Sequence, residues 1–222
     1  MKPYVVQSFK NDFGEIANAW IIDDEHRRGS PNPHNLPSGY TEYEYIEASG
    51  TQYINTGYVP NPDTEIIATT QRTAVQSYSA SDWGTLSAPK AITAGSYWSW
   101  GSASDKQNIT YSPDNPFGPL TTRVNIRGVY DLLNNKVVDF GTVTWVTGDN
   151  PVFLFARNNG GFAERYCKVK IFYWAAYENG TKMVEFIPAR RNSDGVLGMY
   201  ETVSGTFFTN DGTGVFTGES AS

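Results

Sequence analysis

The sequence predicts an all-β fold, an antiparallel sandwich or barrel running from residue 37 onward. Short runs of β-branched and aromatic residues alternate with polar ones, each bounded by Gly, Asn, Asp or Pro. Hairpin-type turns separate the runs at intervals of roughly 8–12 residues, the spacing of all-β sandwiches. The composition agrees: 21 Gly and 12 Pro punctuate the 222 residues, while 6 Trp, 14 Tyr and 12 Phe supply core volume.

In chain order, residues 1–36 differ in texture from the rest. Phe13, Ile16, Trp20 and Ile21 recur at helical spacing and predict a short amphipathic segment. GlySerProAsnProHisAsnLeuPro, at 29–37, is a linker by composition, because Pro and Gly interrupt it and nothing is periodic. The segment reads either as an arm that anchors to a partner or as a terminal strap on its own domain. From Tyr43 and Tyr45 the alternation begins, followed by Tyr53 and Ile54. Further runs occupy 65–71, 123–130, 136–146, 152–156, 168–177, 182–188, 196–201 and 206–209. AsnAsnLys at 134–136, GluAsnGlyThr at 178–181 and AsnAspGlyThrGly at 210–214 are turns, since Asn and Gly tolerate positive φ. The expected inward set is Tyr45, Ile54, Ile67, Val124, Ile126, Phe153, Phe155, Ile171, Tyr173, Val184 and Phe186.

Charge narrows the function classes. With 17 Lys+Arg against 23 Asp+Glu the net charge is −6, and the basic residues are scattered. A nucleic-acid partner, which needs a basic patch, is not expected. No run approaches the ~18 apolar residues of a membrane span, so no membrane insertion is expected. The first ten residues lack the apolar core of a signal peptide, which predicts synthesis in a cytosol. Cys167 is the single cysteine and His26 and His34 are the two histidines, too few for a common zinc site. No metal and no cofactor is expected. Both histidines precede residue 37, so a histidine-based active site within the sandwich is not expected either.

Two segments carry a family resemblance. LeuProSerGlyTyrThrGluTyrGluTyrIleGluAlaSerGlyThrGlnTyrIleAsnThrGlyTyr occupies 36–58. PheIleProAlaArgArgAsnSerAspGlyValLeuGlyMetTyrGluThrValSerGlyThrPhePheThrAsnAspGlyThrGly occupies 186–214. Together they resemble the opening and closing segments of a laminin-G-like, concanavalin A-like sandwich module, with ValPheLeuPheAlaArgAsn at 152–158 similar to a middle strand. Such modules are common in tail, fibre and other structural proteins of bacteriophages and in gut bacteria. The resemblance implies a two-sheet sandwich whose first and last strands lie together. It also implies a virion structural protein: a fibre, tail or head-decoration component, joined to other virion proteins through residues 1–36. A homo-oligomer and contact with host surface polysaccharide fit the same picture. A carbohydrate-binding module of a bacterial surface protein is the alternative class, and a glycoside hydrolase of the same fold the third.

Three clusters are candidates for chemistry. GluTyrGluTyrIleGlu, at 42–47, resembles the acidic strand of retaining glycosidases, which need two carboxylates ~5–5.5 Å apart. On an unbroken strand Glu42 and Glu44 share a face. Glu44 stands where those enzymes carry Asp, and the motif lies on the first strand rather than mid-chain. We therefore expect an edge strand with Tyr43 and Tyr45 inward, and no catalytic residues. Second, Asp82 and Trp83 with Tyr97, Trp98 and Trp100 form a candidate glycan contact, because aromatic faces stack on sugars. The same aromatics also read as core or as a subunit interface. Third, Phe13, Ile16, Trp20 and Ile21 are the candidate partner-anchoring residues.

Overall fold

A computed structural model describes residues 34–75, 80–87, 90–95, 97–100, 107–110, 117–134, 136–143, 145 and 148–221, together with 9–10 and 16–17. No helix occurs among them. Two short strands, β1 (Phe9–Lys10) and β2 (Ile16–Ala17), pair only with each other. Then follow β3 (Tyr40–Ser49), β4 (Ile54–Asn55), β5 (Thr64–Arg72), β6 (Ser81–Ser87), β7 (Lys90–Gly95), β8 (Tyr97–Trp100) and β9 (Gln107–Thr110). The middle of the chain gives β10 (Leu120–Asn125), β11 (Gly128–Asp131), β12 (Lys136–Asp139), β13 (Phe153–Leu154), β14 (Arg157–Asn159) and β15 (Phe162–Glu164). The last five are β16 (Lys168–Glu178), β17 (Thr181–Arg191), β18 (Leu197–Glu201), β19 (Thr206–Phe208) and β20 (Thr217–Ser220).

The large sheet has ten strands, in the order β12-β11-β10-β5-β16-β3-β17-β18-β19 with β20 added on β3. The small sheet has eight, β15-β14-β6-β7-β8-β9, with β13 on β6 and β4 on β13. The described pairings are antiparallel except β14 with β6. The core lies between the sheets. Trp83 and Leu154 come from the small sheet; Ile46, Ile66, Trp174 and Phe186 come from the large one. Trp83 and Trp174 meet edge to face at 6.3 Å, the geometry aromatic rings prefer. The chain is thus a β-sandwich in architecture.

The opening and closing motifs interlock. Gln52 Nε2 donates to the Val215 carbonyl at 2.9 Å, and Thr51 Oγ1 to the Thr213 carbonyl at 2.9 Å. Asp211 N donates to the Tyr53 carbonyl at 2.9 Å, while its carboxylate accepts from Asn55 N at 2.9 Å. A Cβ at Gly212 would stand 2.3 Å from the Thr51 carbonyl oxygen, so only glycine fits there. β20 then runs antiparallel to β3, so the first and last strands of the sandwich are neighbours.

Two of the described register shifts, on β16 and β3, matter for which residues face inward; others lie between β16 and β17 and between β6 and β7. On β16 the partners of Ile171 and Tyr173 on β5 are the adjacent Thr70 and Thr69, so Phe172 is the extra residue. Val169 and Ile171 point into the core before it; Trp174 and Ala176 do so after it. On β3 the partners of Glu219 and Ser220 are Tyr45 and Tyr43, which leaves Glu44 extra. An inserted residue flips the alternation, because strand side chains repeat every two residues. The expected inward set is corrected accordingly. Ile54, Val124, Phe155, Ile171 and Phe186 are in the core, with Ile126 and Val184 packed against it. Phe153 is buried against Tyr53, at 4.9 Å between rings. Tyr45, Ile67 and Tyr173 face outward instead, since Ile46, Ile66 and Trp174 take the inward positions.

The expected run at 123–130 is two strands, β10 and β11, joined at Ile126 and Arg127. The helical reading of the N-terminal segment is also corrected. Ile16 lies in strand β2, and Phe13, Trp20 and Ile21 fall outside the described residues.

Candidate outer-face site

The outer face of the large sheet gathers the polar and aromatic groups most open to chemical reading. After the bulge at Phe172, β16 presents Tyr173, Ala175 and Tyr177 outward. β17 presents Glu185 and Ile187 beside them, because Trp174 pairs with Phe186 on the core side. Residues 34–39 cross this face as a strap, with Leu36 packed on the Tyr173, Ala175 and Ile187 cluster. The strap closes on a turn in which Tyr40 N donates to the Pro37 carbonyl at 2.9 Å.

Two largely buried carboxylates, Glu185 and Glu42, stand at this face. Glu185 is held on both oxygens. Tyr173 OH donates to Oε1 at 2.9 Å and Lys182 Nζ is bonded to the same oxygen, while Thr202 Oγ1 donates to Oε2 at 2.6 Å. Burial alone would raise its pKa. The Lys182 and Thr202 hydrogen bonds, the Lys182 charge and Tyr173 outweigh that and hold it below the ordinary carboxylate value. The Tyr173 phenol moves the other way: burial first, then the Glu185 charge and Tyr177, push it well above its ordinary value. Glu201 supports the same corner. Its carboxylate accepts from Glu185 N at 2.9 Å, Val203 N at 2.9 Å and Ser204 N at 2.7 Å.

Glu42 is the second carboxylate. Its side chain is only 9% exposed. Oε1 is 2.8 Å from His34 Nδ1, and Oε2 is buried with no hydrogen-bond partner. The His34 ring in turn stacks on Tyr173 at 6.4 Å. A histidine therefore does reach the sandwich. The expectation that both histidines lie outside it is overturned, because residues 34–36 belong to the sheet's packing and not to a free linker.

The two-carboxylate reading of 42–47 meets the bulge at Glu44, which breaks the strict alternation that placed Glu42 and Glu44 on one face. Glu47 pairs across the ladder with Lys170, whose ammonium sits 3.8 Å from the centre of the Tyr45 ring.

Asp82 and Trp83 sit inside the molecule, so neither presents a surface to a sugar. Trp83 is fully buried. Asp82 Oδ1 accepts from Arg72 Nε at 2.9 Å and from Cys167 Sγ at 3.1 Å, and Oδ2 accepts from Thr70 Oγ1 at 3.3 Å. Arg72 and Thr70 belong to β5 of the large sheet and Asp82 to β6 of the small one, so this cluster clasps the two layers. The backbone tightens it. Phe155 N donates to the Asp82 carbonyl at 2.7 Å, and Cys167 N donates to the Phe155 carbonyl at 2.9 Å. Phe155 holds φ 66° to do so, a left-handed conformation costly for a bulky residue. Tyr97, Trp98 and Trp100 lie on β8, paired with β9; their side chains are outside the described residues.

Among the described residues no group of three or more His, Cys, Asp or Glu is placed to hold a metal ion. No described helix is long and apolar enough to cross a membrane. Sequence reasoning missed Tyr173, Glu185 and His34 as one neighbourhood. A visible signal existed for Glu185, an acid in an otherwise apolar run between Val184 and Phe186. Comparison with protein-family models, with curated proteins and with solved structures gives no match.

Proposed function

We propose that the chain is a structural protein of a bacteriophage virion, a fibre, tail or head-decoration component with a concanavalin A-like, laminin-G-like module. On this reading the segment before the sandwich fastens it to other virion proteins, and the sandwich projects outward. The observation that carries the reading is the interlock of the opening and closing motifs. Gln52, Thr51 and Asn55 on one side bond Val215, Thr213 and Asp211 on the other. An interlock of this kind ties the two ends of the sandwich into one unit, which suits a self-contained projecting module. The arrangement of polar groups also favours a scaffold. Asp82 and Glu185 spend their oxygens on Arg72, Cys167, Lys182, Thr202 and Tyr173, which are contacts that hold strands together.

The test is a deletion of residues 1–33, cut before the strap so that His34 and Leu36 stay on the sheet. The truncated chain is expected to remain soluble and to melt cooperatively near the full-length temperature, yet to be lost from purified particles. Incorporation at the full-length level would overturn the anchoring role. Absence of the full-length protein from particles would overturn the virion assignment itself.

A further inference from the structure

We propose that Asn179 is a modification site, the point at which the folded chain loses a side-chain amide without an enzyme and opens the β16–β17 hairpin. The site does not rest on the virion reading; it follows from how the asparagines of the turns are held.

The hairpin closes in two residues. Glu178 pairs with Thr181, and between them Asn179 and Gly180 hold φ 48° and φ 81°. Positive φ at both central residues marks the type I′ turn, which matches the twist of the flanking strands, and Asn-Gly is its favoured sequence. The same two residues are a reactive pair. Asparagine is among the thermally labile residues, and the nitrogen of the next residue can reach its side-chain carbonyl carbon. Glycine leaves that nitrogen unshielded, because it has no Cβ. The Gly180 nitrogen gives its proton to solvent base and bonds to Asn179 Cγ. The Cγ–Nδ2 bond breaks and ammonia leaves. Water then opens the cyclic imide at one of its two carbonyls, which yields aspartate or isoaspartate.

The fold decides which asparagine is free to react. The chain has two Asn-Gly pairs, 159–160 and 179–180, and both asparagines are exposed. The Asn159 side chain is hydrogen-bonded to Glu164 across its own hairpin. Beside it Asn158 is buried, donating from Nδ2 to the Pro151 carbonyl at 2.9 Å and accepting from Gly161 N at 2.8 Å. The two Asp-Gly turns are held as well: Asp194 meets Arg191 at 2.7 Å, and Asp211 accepts from Asn55 N at 2.9 Å. Asn179 has no side-chain hydrogen-bond partner among the described residues. A bonded side chain must let go before its carbonyl carbon can swing onto the backbone; Asn179 has nothing to release.

The two products differ in what they do. Aspartate keeps the turn, since Asp-Gly also suits type I′. It adds a negative charge to a cleft already lined by Asp63 and Glu65. Isoaspartate carries the main chain through the side-chain carbon, so the loop gains one backbone atom and no longer fits the gap between Glu178 and Thr181. Contacts on both sides of the turn depend on that fit. Glu178 Oε1 accepts from Tyr58 OH at 3.0 Å, and Lys182 is bonded to Glu185.

The experiment is ageing of the full chain in neutral and mildly alkaline buffer, with peptide mass spectrometry following amide loss at 159 and 179. In the folded protein Asn179 is expected to convert at least severalfold faster than Asn159, with isoaspartate among its products. In strong denaturant the two rates should come together, because both side chains are then free and both precede glycine. Equal rates in the folded protein, or a ratio unchanged by denaturant, would overturn the assignment. Aged chains carrying isoaspartate at 179 are then separated and melted beside Asn179→Asp. The isoaspartate form should melt several degrees lower than Asn179→Asp, which keeps the turn and shares the added charge. Coincident melting would show that the hairpin stays closed and would overturn the structural consequence.

Discussion

Glu42 and Glu185 face the same side of the same sheet, and their side chains are almost equally withdrawn from water, 9% and 10% exposed. Their partners differ. Glu185 is met by a lysine, a threonine and a tyrosine and has both oxygens engaged. Glu42 is met by one histidine and has one oxygen engaged. Burial alone therefore says little about what a carboxylate does. One that is saturated stiffens the sheet and resists protonation. One that is half satisfied adds little, because the cost of its unpartnered oxygen offsets the bond the other makes.

The largest effect is expected at the inter-sheet clasp, which is the limiting case of a saturated buried acid. Asp82→Ala leaves Arg72 and Cys167 without their shared acceptor between the layers. Breaking one partner out of a buried pair costs about 3–5 kcal/mol, and a loss of that size should appear in chemical denaturation. A loss under about 1 kcal/mol would mean the clasp is incidental.

Next in size is Glu185→Gln, which removes the charge that Lys182 meets but keeps the shape. Lys182 is 39% exposed, so solvent screens part of that pair and the expected loss is about 1–2 kcal/mol. The same carboxylate should show in pH dependence. Glu185 and Glu201 both lie below the ordinary carboxylate value when folded. Their contribution is complete above that ordinary value and is lost as pH falls through the lowered folded values, since the unfolded chain takes up protons first. Unfolding midpoints followed from pH 6 down to pH 3 should drop, and the drop should be shallower in Glu185→Gln.

Much of the fold was legible because it rests on local chemistry. The turns at 178–181 and 210–214 and the runs that became β5, β16, β17, β18 and β19 announce themselves by Asn, Gly and alternation. The bulges on β16 and β3 were not legible. Nothing in the identity of Phe172 or Glu44 marks an extra residue, yet each flips the side chains that follow. That is why Tyr173 and Tyr45 were expected inward. Trp83 illustrates the other limit. An aromatic beside Gly and Asp fits a sugar platform and a core position equally well, and only the packing of Trp174 against it decides. His34 was hidden by its neighbours, because a Pro-rich stretch reads as linker while its last residues lie on a sheet.

The contrast between the two carboxylates can be measured directly by unfolding Glu42→Gln and Glu185→Gln side by side at pH 8. Glu185→Gln should lose about 1–2 kcal/mol, since a saturated anion is being dismantled. Glu42→Gln should stay within about 0.5 kcal/mol of the natural sequence or gain, since the change removes a buried charge that lacked a second partner. A loss at Glu42 equal to or greater than that at Glu185 would show that both acids are structural anchors and that the number of engaged oxygens does not set their worth.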